Sequence, residues 1–325
     1  EELRKATMTW KLSAPLMAIV VYLAPSYFTF FAKFFLATLA AYLPFYFDGA
    51  ALYGRRYNAS VGVSPVCKWI WVKGLGLPLS ECRWNPDDFK DKDARFIFGS
   101  HPHGVGSVHH IGPMMAPACC EPGKGFGDLS PLTTRRDLAA SAIFRIPLFR
   151  ELALLAGAVD ADRKVARRML TEGKSLGILV GGEREQLLSR RGEHCAFVSE
   201  RKGFLKLALS FGVPVVPCYC FGETDLYDQS AVLMGLRLKL VKAFGVAITI
   251  ARGRSWIFPW LPYRVKLIHC VGKPVWLKGL ELAPIAEPTK EQIDSLHGLY
   301  IKGLLELFDA QKEAAGYPNA TLTIA

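Results

Sequence analysis

The amino-terminal part of the chain is strongly apolar, and this feature most restricts what the chain can fold into. Between residues 12 and 47 the only charged side chain is Lys33. Pro25 and Pro44 divide this stretch into halves near or below the roughly 20 residues that a helix needs to cross a bilayer. Basic residues flank both sides, as is typical of ends that stay cytosolic: Arg4, Lys5, Lys11, Arg55 and Arg56. We therefore predict a two-helix or re-entrant membrane hairpin over residues 1–56.

Two other interpretations of this stretch are a signal peptide and a buried core helix. The stretch is too long for a signal peptide and lacks a small-residue cleavage pattern, so a signal peptide is disfavoured. A core helix stays open as the alternative. The first residue is Glu1 rather than methionine, so the sequence leaves open whether residues precede it.

The charge balance narrows the class of partner. The chain has 40 Lys and Arg against 29 Asp and Glu, a net charge of +11. The sequence contains no zinc-finger spacing, no RNA-binding signature and no long basic block, so we expect no nucleic-acid partner. The charge indicates a membrane surface or a phosphate-bearing substrate. The 8 cysteines form no Cys-x-x-Cys pair and are expected to be reduced.

From residue 95 onwards, strand patterns alternate with helix patterns. Strands are predicted at 176–180, 213–219 and 265–271, and helices at 163–171, at 203–211 and from a capping box at Thr289. This alternation predicts an α/β fold with a mostly parallel sheet flanked by helices. The predicted organisation is a hairpin over 1–56, a connector over 57–94 and the main domain over 95–325.

The loop Ser255–Tyr263 is rich in aromatic residues and proline. Such a loop can sit at a membrane interface or line a channel for an acyl chain. It can equally pack onto the core of the domain, and the sequence does not decide between these.

A histidine pair follows a short apolar strand. Residues 96–98 predict a buried strand that ends at Gly99, and the run His101-Pro102-His103-Gly104 comes directly after it. The ends of strands are where α/β folds usually place their chemistry. Histidine has a pKa near neutrality and is therefore a natural general base for a hydroxyl. Without further evidence the same run can be a structural turn.

Two rival chemistries are disfavoured by spacing and order. Residues 173–177 match Gly-x-Ser-x-Gly, but here a helix precedes and a strand follows, the reverse of a nucleophile elbow. We therefore interpret them as a helix-to-strand turn. His101, His103, His109 and His110 lack the Asp at 105 and His at 106 that a binuclear hydrolase motif needs, so no metal is expected, although more distant ligands stay open.

Several motifs in order resemble one lipid-modifying family. They are Phe98-Gly99-Ser100-His101-Pro102-His103-Gly104, the segment 144–151, Gly181-Gly182-Glu183-Arg184-Glu185, Arg201-Lys202-Gly203-Phe204 and Phe221-Gly222-Glu223. Together they resemble the type 2 diacylglycerol acyltransferases and their monoacylglycerol and wax-alcohol relatives. Residues 157–163 and 213–217 also resemble blocks of the wider glycerolipid acyltransferase superfamily. The resemblance spans almost the whole chain, and it implies a glycerolipid acyltransferase-like fold in which 95–325 is the catalytic domain.

The resemblance implies transfer of a fatty acyl group from acyl-coenzyme A to diacylglycerol, which makes triacylglycerol. Monoacylglycerol or a fatty alcohol is the alternative acceptor, and a membrane-bound lipid esterase is a different class that uses the same histidines with water. Acyl-CoA would be a co-substrate, with no cofactor. The implied location is the endoplasmic reticulum membrane with the active site facing the cytosol, extending to lipid droplets; membrane lipids would be partners, and homo-oligomers stay open.

The chain departs from the family pattern at two places. Arg83-Trp84-Asn85-Pro86 stands where the family has Tyr-Phe-Pro, and Ile250-Ala251-Arg252-Gly253 lacks the histidine of His-Gly-Arg-Gly. These departures weaken any inference about the acceptor. The superfamily's His-x4-Asp aspartate is also missing, because Gly106 and Val108 stand at the two positions that it could occupy.

The resemblance and the residues together suggest roles. His103 is expected to be the general base, with His101 beside it and Glu185 as the acid that orients the imidazole. Backbone N–H groups at Gly104, Gly181 and Gly182 are candidates for binding the oxyanion. Arg163, Arg167, Arg201 and Lys202 are candidates for the phosphates of acyl-CoA. A solvated helix face is the alternative for both basic clusters.

Overall fold

The structure is a computed structural model that describes residues 26–27, 29–91, 93–126, 135–245 and 247–325. The chain divides into two compact units, Glu1–Gly49 and Ala50–Ala325. The first half of the predicted hairpin lies outside the described residues.

The described part of the first unit is a helix, α1, over residues 29–46. Its large apolar side chains, such as Phe31 and Phe35, are exposed. The stretch Thr29–Tyr53 is long and apolar enough to cross a membrane, with a mean hydropathy of 1.5, and none of its apolar window is buried. Length and composition fit the predicted membrane segment, although other kinds of apolar helix pass the same test.

The second unit is built on a seven-stranded sheet. Its strands and those of two smaller sheets are β1 Glu81–Arg83, β2 Ile97–His101, β3 Arg136–Ala139, β4 Ala158–Asp160, β5 Leu176–Leu179, β6 Cys195–Ala196, β7 Val215–Phe221, β8 Asp228–Gln229, β9 Ala251–Arg252, β10 Ile268–Val271 and β11 Thr323–Ile324. The order in the large sheet is β1-β10-β7-β2-β5-β3-β4. The strands β7, β2, β5, β3 and β4 run parallel, while β10 is antiparallel to β7 and β1 is parallel to β10. Two small pairs, β6 with β11 and β8 with β9, complete the strands.

Helices α2 to α10 accompany this sheet. They are α2 Ala50–Tyr53, α3 Ala59–Gly62, α4 Pro65–Trp69, α5 Phe149–Leu155, α6 Arg163–Thr171, α7 Gly182–Leu188, α8 Gly203–Phe211, α9 Met234–Phe244 and α10 Lys290–Lys312. The main hydrophobic core joins the central strands to α6, α8 and α10 through residues such as Leu170, Leu205 and Leu304. A second cluster of aromatic rings, including Phe89 and Phe98, belongs to a separate part of the core.

The predicted α/β class with a mostly parallel, helix-flanked sheet is confirmed by this topology. Several local signals also gave the observed elements. Thr289 forms the predicted capping box, in which its side chain accepts from the Gln292 N–H while the Gln292 side chain accepts from the Thr289 N–H. Gly212 ends α8 with φ +61°, a left-handed conformation that glycine adopts without steric cost. Residues 57–94, predicted as a connector, contribute β1 to the sheet and α3 and α4 to the second unit.

The cysteines are free in the part of the chain that the structure describes, and most of them are buried. Ser175 of the Gly-x-Ser-x-Gly match is fully buried, and its hydroxyl accepts from the Phe96 N–H at 3.1 Å. It lies in the turn between α6 and β5. The interpretation of this match as a helix-to-strand turn is therefore confirmed.

Candidate active site

The histidine motif lies at the carboxyl end of the central strand β2. This strand is buried along its whole length between β5 and β7, with Ser100 opposite Leu179 and His101 opposite Tyr219. Apolar and small residues on both faces let it sit there, as is typical of a parallel strand covered by helices. The chain leaves the sheet directly after His101, so Pro102, His103 and Gly104 form a loop at the edge where the parallel strands end.

His101 is fully buried and held by Tyr300 of α10. Its Nε2 lies 3.2 Å from the Tyr300 Oη, and that hydroxyl donates to the Gly99 carbonyl at 3.0 Å. Because a carbonyl only accepts, the tyrosine hydrogen is committed to Gly99, and the hydroxyl oxygen accepts the Nε2–H of His101. A Cβ at position 99 would overlap the Tyr300 hydroxyl, so this approach requires glycine there.

Glu185 is brought beside His101 rather than hydrogen-bonded to His103. The Glu185 Oε2 lies 3.9 Å from the His101 Nδ1, and both side chains are buried. Among the described residues, neither carboxylate oxygen of Glu185 has a hydrogen-bond partner, and the Nδ1 of His101 has none either. The two groups therefore lie beside each other at a distance too long for a hydrogen bond.

His103 is the histidine of the motif that reaches the surface, and its side chain is half-buried. Its Nδ1 lies 3.1 Å from the Gly104 carbonyl and 3.0 Å from the Ser107 hydroxyl. Since the carbonyl only accepts, Nδ1 carries the proton and Nε2 presents a lone pair. Burial lowers the pKa of His103 from its usual value, an effect that Gly104 and Glu185 partly offset. The imidazole is therefore neutral at neutral pH and can accept a proton.

Glu223 fixes the loop that follows the motif. Its two carboxyl oxygens accept the N–H groups of Val108 and His109 at 2.9 and 2.8 Å. Gly104, with φ +62°, packs against this side chain, and a Cβ there would meet the carboxyl group. Burial raises the pKa of Glu223 to about 8, although the two backbone donors oppose the shift. Glu223, in the loop after β7, thereby holds the loop that follows β2 in place.

Gly181 and Gly182 lie at the start of α7, and Arg201 of the basic pair Arg201 and Lys202 reaches them there. Gly182 has φ +59°, and the Arg201 guanidinium contacts the Gly181 carbonyl at 3.4 Å. Glu185 lies on the first turn of the same helix. Lys202 points elsewhere, because its ammonium is paired with Asp294 at 2.6 Å. The structure therefore brings Arg201 to the glycines of the motif and gives Lys202 a partner of its own.

Arg163 and Arg167 lie on α6, which follows β4 at the same edge of the sheet. The Arg163 side chain is exposed, and the Arg167 guanidinium lies over the Phe211 ring, 5.2 Å from its centroid. Three strand spacings separate β4 from β2. At about 4.8 Å each, they place the start of α6 roughly 14 Å from the histidines along the sheet. Arg201 lies at the end of β5 and α6 follows β4, two strands further along the sheet, so the two basic clusters lie apart.

One buried group of side chains could hold a metal ion. Ligand atoms of His109, Cys220 and His269 lie within 4.8 Å of one another, and all three residues are buried. The His109 Nε2 donates to the Pro102 carbonyl at 3.0 Å, so only its Nδ1 is left to bind an ion. Of the four histidines considered from sequence, His109 alone belongs to this group.

Space beside the buried histidine is small. A cleft lined by residues that include Pro102, Glu185 and Thr224 has a volume of about 10 Å³, room for roughly one water molecule. A larger hollow of about 670 Å³ is lined by residues 192–195 and 316–321 together with Thr323, none of which was predicted from sequence as a site residue.

Sequence reasoning missed three residues of this site. Tyr300 was visible only as an apolar position of an amphipathic helix, and Ser107 carried no signal. Glu223 was part of a matching motif, Phe221-Gly222-Glu223, but no role followed from its position. Each is distant in sequence from its partner or generic in type, so only the fold shows the contact.

Comparison with known proteins adds independent evidence. The family model described as diacylglycerol acyltransferase matches residues 28–324. Diacylglycerol O-acyltransferase 1 of Eremothecium gossypii is 35% identical over 79% of this chain and 56% of its own length. The human diacylglycerol O-acyltransferase 2-like protein 6 is 31% identical over 93% of this chain and 89% of its own. Bovine 2-acylglycerol O-acyltransferase 1 is 33% identical over 71% and 70%.

The chain spans little more than half the length of the fungal relatives that it matches. Among solved structures, the 1-acyl-sn-glycerophosphate acyltransferase PlsC of Thermotoga maritima is similar with a TM-score of 0.43 and 16% identity, over 74% of this chain and 78% of that one. The family model covers nearly all of the sequence, in agreement with the motifs quoted above. The chain belongs to the diacylglycerol acyltransferase family.

Proposed function

We propose that this protein is a membrane-bound O-acyltransferase that moves a fatty acyl group from acyl-CoA to diacylglycerol and forms triacylglycerol. Family membership supports the reaction class, and relatives named diacylglycerol O-acyltransferase support the acceptor. The observation that carries the proposal is the neutral, partly exposed imidazole of His103 directly after β2. The apolar stretch Thr29–Tyr53 supports a location in the membrane. For that location we propose the endoplasmic reticulum, with the site on the cytosolic side, and lipid droplets in addition.

The proposed step needs no covalent enzyme intermediate, because a thioester is already activated. The His103 Nε2 takes the proton of the acceptor hydroxyl as the oxygen attacks the thioester carbonyl. The tetrahedral intermediate then expels the thiolate of coenzyme A, which takes that proton back from Nε2. The new ester bond replaces the thioester bond, and the histidine returns to its neutral form.

Backbone N–H groups are the proposed donors to the oxyanion of the intermediate. Gly104 follows His103 directly, and Gly181 and Gly182 lie at the start of α7 close to Glu185. Such donors stabilise charge that develops in the transition state without reorganising. The Ser107 hydroxyl lies 3.0 Å from the His103 Nδ1 and 3.4 Å from its Nε2, so it contacts the ring edge and helps to hold the imidazole in place.

His101 and Glu185 are proposed to position the motif rather than to take a proton from substrate. His101 is buried and bonded to Tyr300, so an acceptor hydroxyl cannot reach it in this arrangement. The Glu185 carboxyl lies beside it and also favours the protonated form of His103 through charge. This field stabilises the imidazolium that forms during attack.

Acyl-CoA is proposed to bind along the carboxyl edge of the sheet. Its phosphates require cations, and Arg163 is exposed about 14 Å along that edge from the histidines. Arg167 lies one turn further on α6, and Arg201 lies at Gly181 on the near side. Lys202 is the weakest of the four candidates, because Asp294 already neutralises it.

Monoacylglycerol is a second candidate acceptor, since a bovine relative of similar identity is named 2-acylglycerol O-acyltransferase. A fatty alcohol is the third. Purified protein would be given radiolabelled acyl-CoA with each acceptor in turn, and the labelled lipids separated. Label in triacylglycerol supports the proposal, label chiefly in diacylglycerol or wax ester replaces the acceptor, and label only in free fatty acid identifies an esterase.

The role of His103 is tested with His103→Ala and His103→Gln. Loss of a general base lowers the rate by about 10²–10⁴-fold. His297→Gln is the matched control, because the His297 Nε2 only donates to the Val198 carbonyl and an amide can replace that donor. Near-full activity of His103→Ala at normal protein levels would reject the assignment.

A further inference from the structure

The segment between β7 and β10, residues 227–264, presents a large apolar surface to solvent. At the tip of its aromatic loop, Trp256, Ile257 and Trp260 are 83%, 80% and 63% exposed. Side chains of this size are rarely left so open without a function, because each exposes apolar area that water disfavours. The sequence left open a membrane interface, an acyl channel and the core for this loop, and packing of its tip onto the core is therefore wrong.

The loop is held in a defined shape that points these rings outward. The Gly253 N–H donates to the Pro259 carbonyl at 2.7 Å, and the Arg254 N–H donates to the Leu261 carbonyl at 3.0 Å. The Arg254 guanidinium also bonds to the carbonyls of Leu75 and Pro262, each at 2.7 Å. The base of the loop is thus tied to the domain, and the Trp260 carbonyl accepts from the Tyr227 hydroxyl at 2.9 Å. The side chains of Trp256 and Ile257 nevertheless stay exposed.

The same surface continues onto the start of α9. Leu233 and Leu236 are exposed there, as is Ile250 beside β9. The pairing of β8 with β9, together with the bond from the Ser230 N–H to the Ile250 carbonyl at 2.8 Å, joins these two parts. We call the exposed apolar side chains of residues 232–260 the 232–260 surface.

The charges around this surface are positive. Lys239, Lys242 and Arg264 are exposed, and the only carboxylate between residues 227 and 264 is Asp228. Asp228 is already engaged, since it accepts from the Tyr263 hydroxyl at 2.6 Å and lies close to two arginines. The surface therefore offers cations without matching anions.

We propose that the 232–260 surface docks on an anionic lipid bilayer, as a membrane contact separate from the amino-terminal helix. Tryptophan at a loop tip is typical of the boundary between headgroups and acyl chains, and exposed lysines beside it complement anionic lipids. The Arg252 guanidinium lies 4.0 Å from the centre of the Trp256 ring and is paired with Asp228, so the unmatched cations are Lys239, Lys242 and Arg264. A protein partner would need complementary carboxylates of its own, and nothing in the aromatic tip selects for them.

The docking segment is connected to the loop of the histidine motif. The Tyr227 ring packs at Gly106, and the Gln186 side chain donates to the Val105 carbonyl at 2.7 Å. The Gln229 side chain in turn donates to the Gln186 carbonyl at 2.8 Å. The loop after His103 is thus bonded through α7 to β8, which begins the segment that docks.

The test places a photoreactive p-benzoylphenylalanine at Ile257 of the full chain, reconstituted in vesicles of phosphatidylcholine with or without phosphatidylglycerol. Lys302, exposed on α10, is the control site. We expect several-fold more lipid adduct at 257 than at 302, and a higher yield with the anionic lipid. Equal labelling of the two sites, or a covalent dimer at 257 instead of a lipid adduct, would overturn the proposal.

Reversing two lysine charges tests whether anionic lipid is recognised by the surface or is only nearby. Each lysine near an anionic surface contributes about fivefold to partitioning. Lys239→Glu with Lys242→Glu should therefore remove the gain from phosphatidylglycerol, whereas Lys278→Glu with Lys290→Glu should keep it. Equal effects of the two pairs would contradict the proposal. Adduct formation is measured without acyl transfer, so the result does not depend on the reaction proposed above.

Discussion

Replacing Tyr300 by phenylalanine removes one oxygen atom from the centre of the site and leaves the packing of the ring intact. The hydroxyl donates to the Gly99 carbonyl at 3.0 Å and lies 3.2 Å from the His101 Nε2. Both bonds are buried. An orphaned buried N–H costs about 1–3 kcal/mol, and a lost neutral hydrogen bond costs about 1 kcal/mol. The variant Tyr300→Phe should therefore lose about 2–4 kcal/mol of unfolding free energy.

Activity should fall with stability, because His101 ends the strand from which the His103 loop departs. We expect kcat to fall about tenfold or more, since small displacements of a catalytic group are costly. The KM for acyl-CoA should stay unchanged, because Tyr300 is buried and its hydrogen bonds go to His101 and Gly99 rather than to a cationic side chain.

The measurement is thermal unfolding in detergent together with initial rates. A domain of this size shifts its Tm by about 2 °C for each kcal/mol, so a decrease of about 4–8 °C is expected. Tyr317→Phe is the matched control, since its hydroxyl bonds to Asp225 at 2.6 Å outside the histidine motif. A Tm and a kcat of Tyr300→Phe that both equal the parent values would show that the hydroxyl holds neither partner.

Two further predictions concern charge. Arg163→Glu should raise the apparent KM for acyl-CoA several-fold and leave kcat and vesicle binding unchanged. The control Lys278→Glu, which reverses another exposed charge, should leave this KM unchanged. If Arg163→Glu has the same KM as the parent protein, Arg163 does not bind the phosphates. The second prediction is that the free energy of unfolding decreases as the pH is lowered below about 6.5. Burial lowers the pKa of His109 well below its usual value and that of His269 to about 3, so the unfolded chain takes up these two protons first. Glu223, with its pKa raised to about 8, opposes them by one proton down to about pH 4.5. Burial also lowers the pKa values of His103 and His194, which adds to the proton uptake of the unfolded chain. The net loss of stability is on the order of 1 kcal/mol or more per pH unit as the pH drops. The measurement is Tm against pH; a flat profile from pH 7 to 5 would refute it, and His269→Phe should make the profile less steep.

Local sequence signals were sufficient where a structure depends on neighbouring residues. The helix Arg163–Thr171, the capping box at Thr289 and the left-handed Gly212 follow from side-chain chemistry within a few positions. The position of the histidines at a strand end likewise followed from the apolar run that precedes them.

The partners of the histidines could not be read from the chain, because they come from elements far apart in sequence. Tyr300 reaches His101 across 199 positions, and Glu223 reaches His109 across 114. The sequence suggested Glu185 as the orienting acid, and the fold places it beside His101, leaving His103 to Ser107 and Gly104. Burial also distinguishes the two imidazoles of the motif, because His101 is fully buried whereas His103 is partly exposed.

By itself the sequence determined the family, the alternating strands and helices, and the residue types that can carry acyl transfer, because these depend on order and spacing along the chain. The tertiary structure alone decided which imidazole meets solvent and which carboxyl group meets which histidine. It also decided that the aromatic loop faces outward. These depend on the order of strands in the sheet and on the helices that cover it, and no local pattern encodes either.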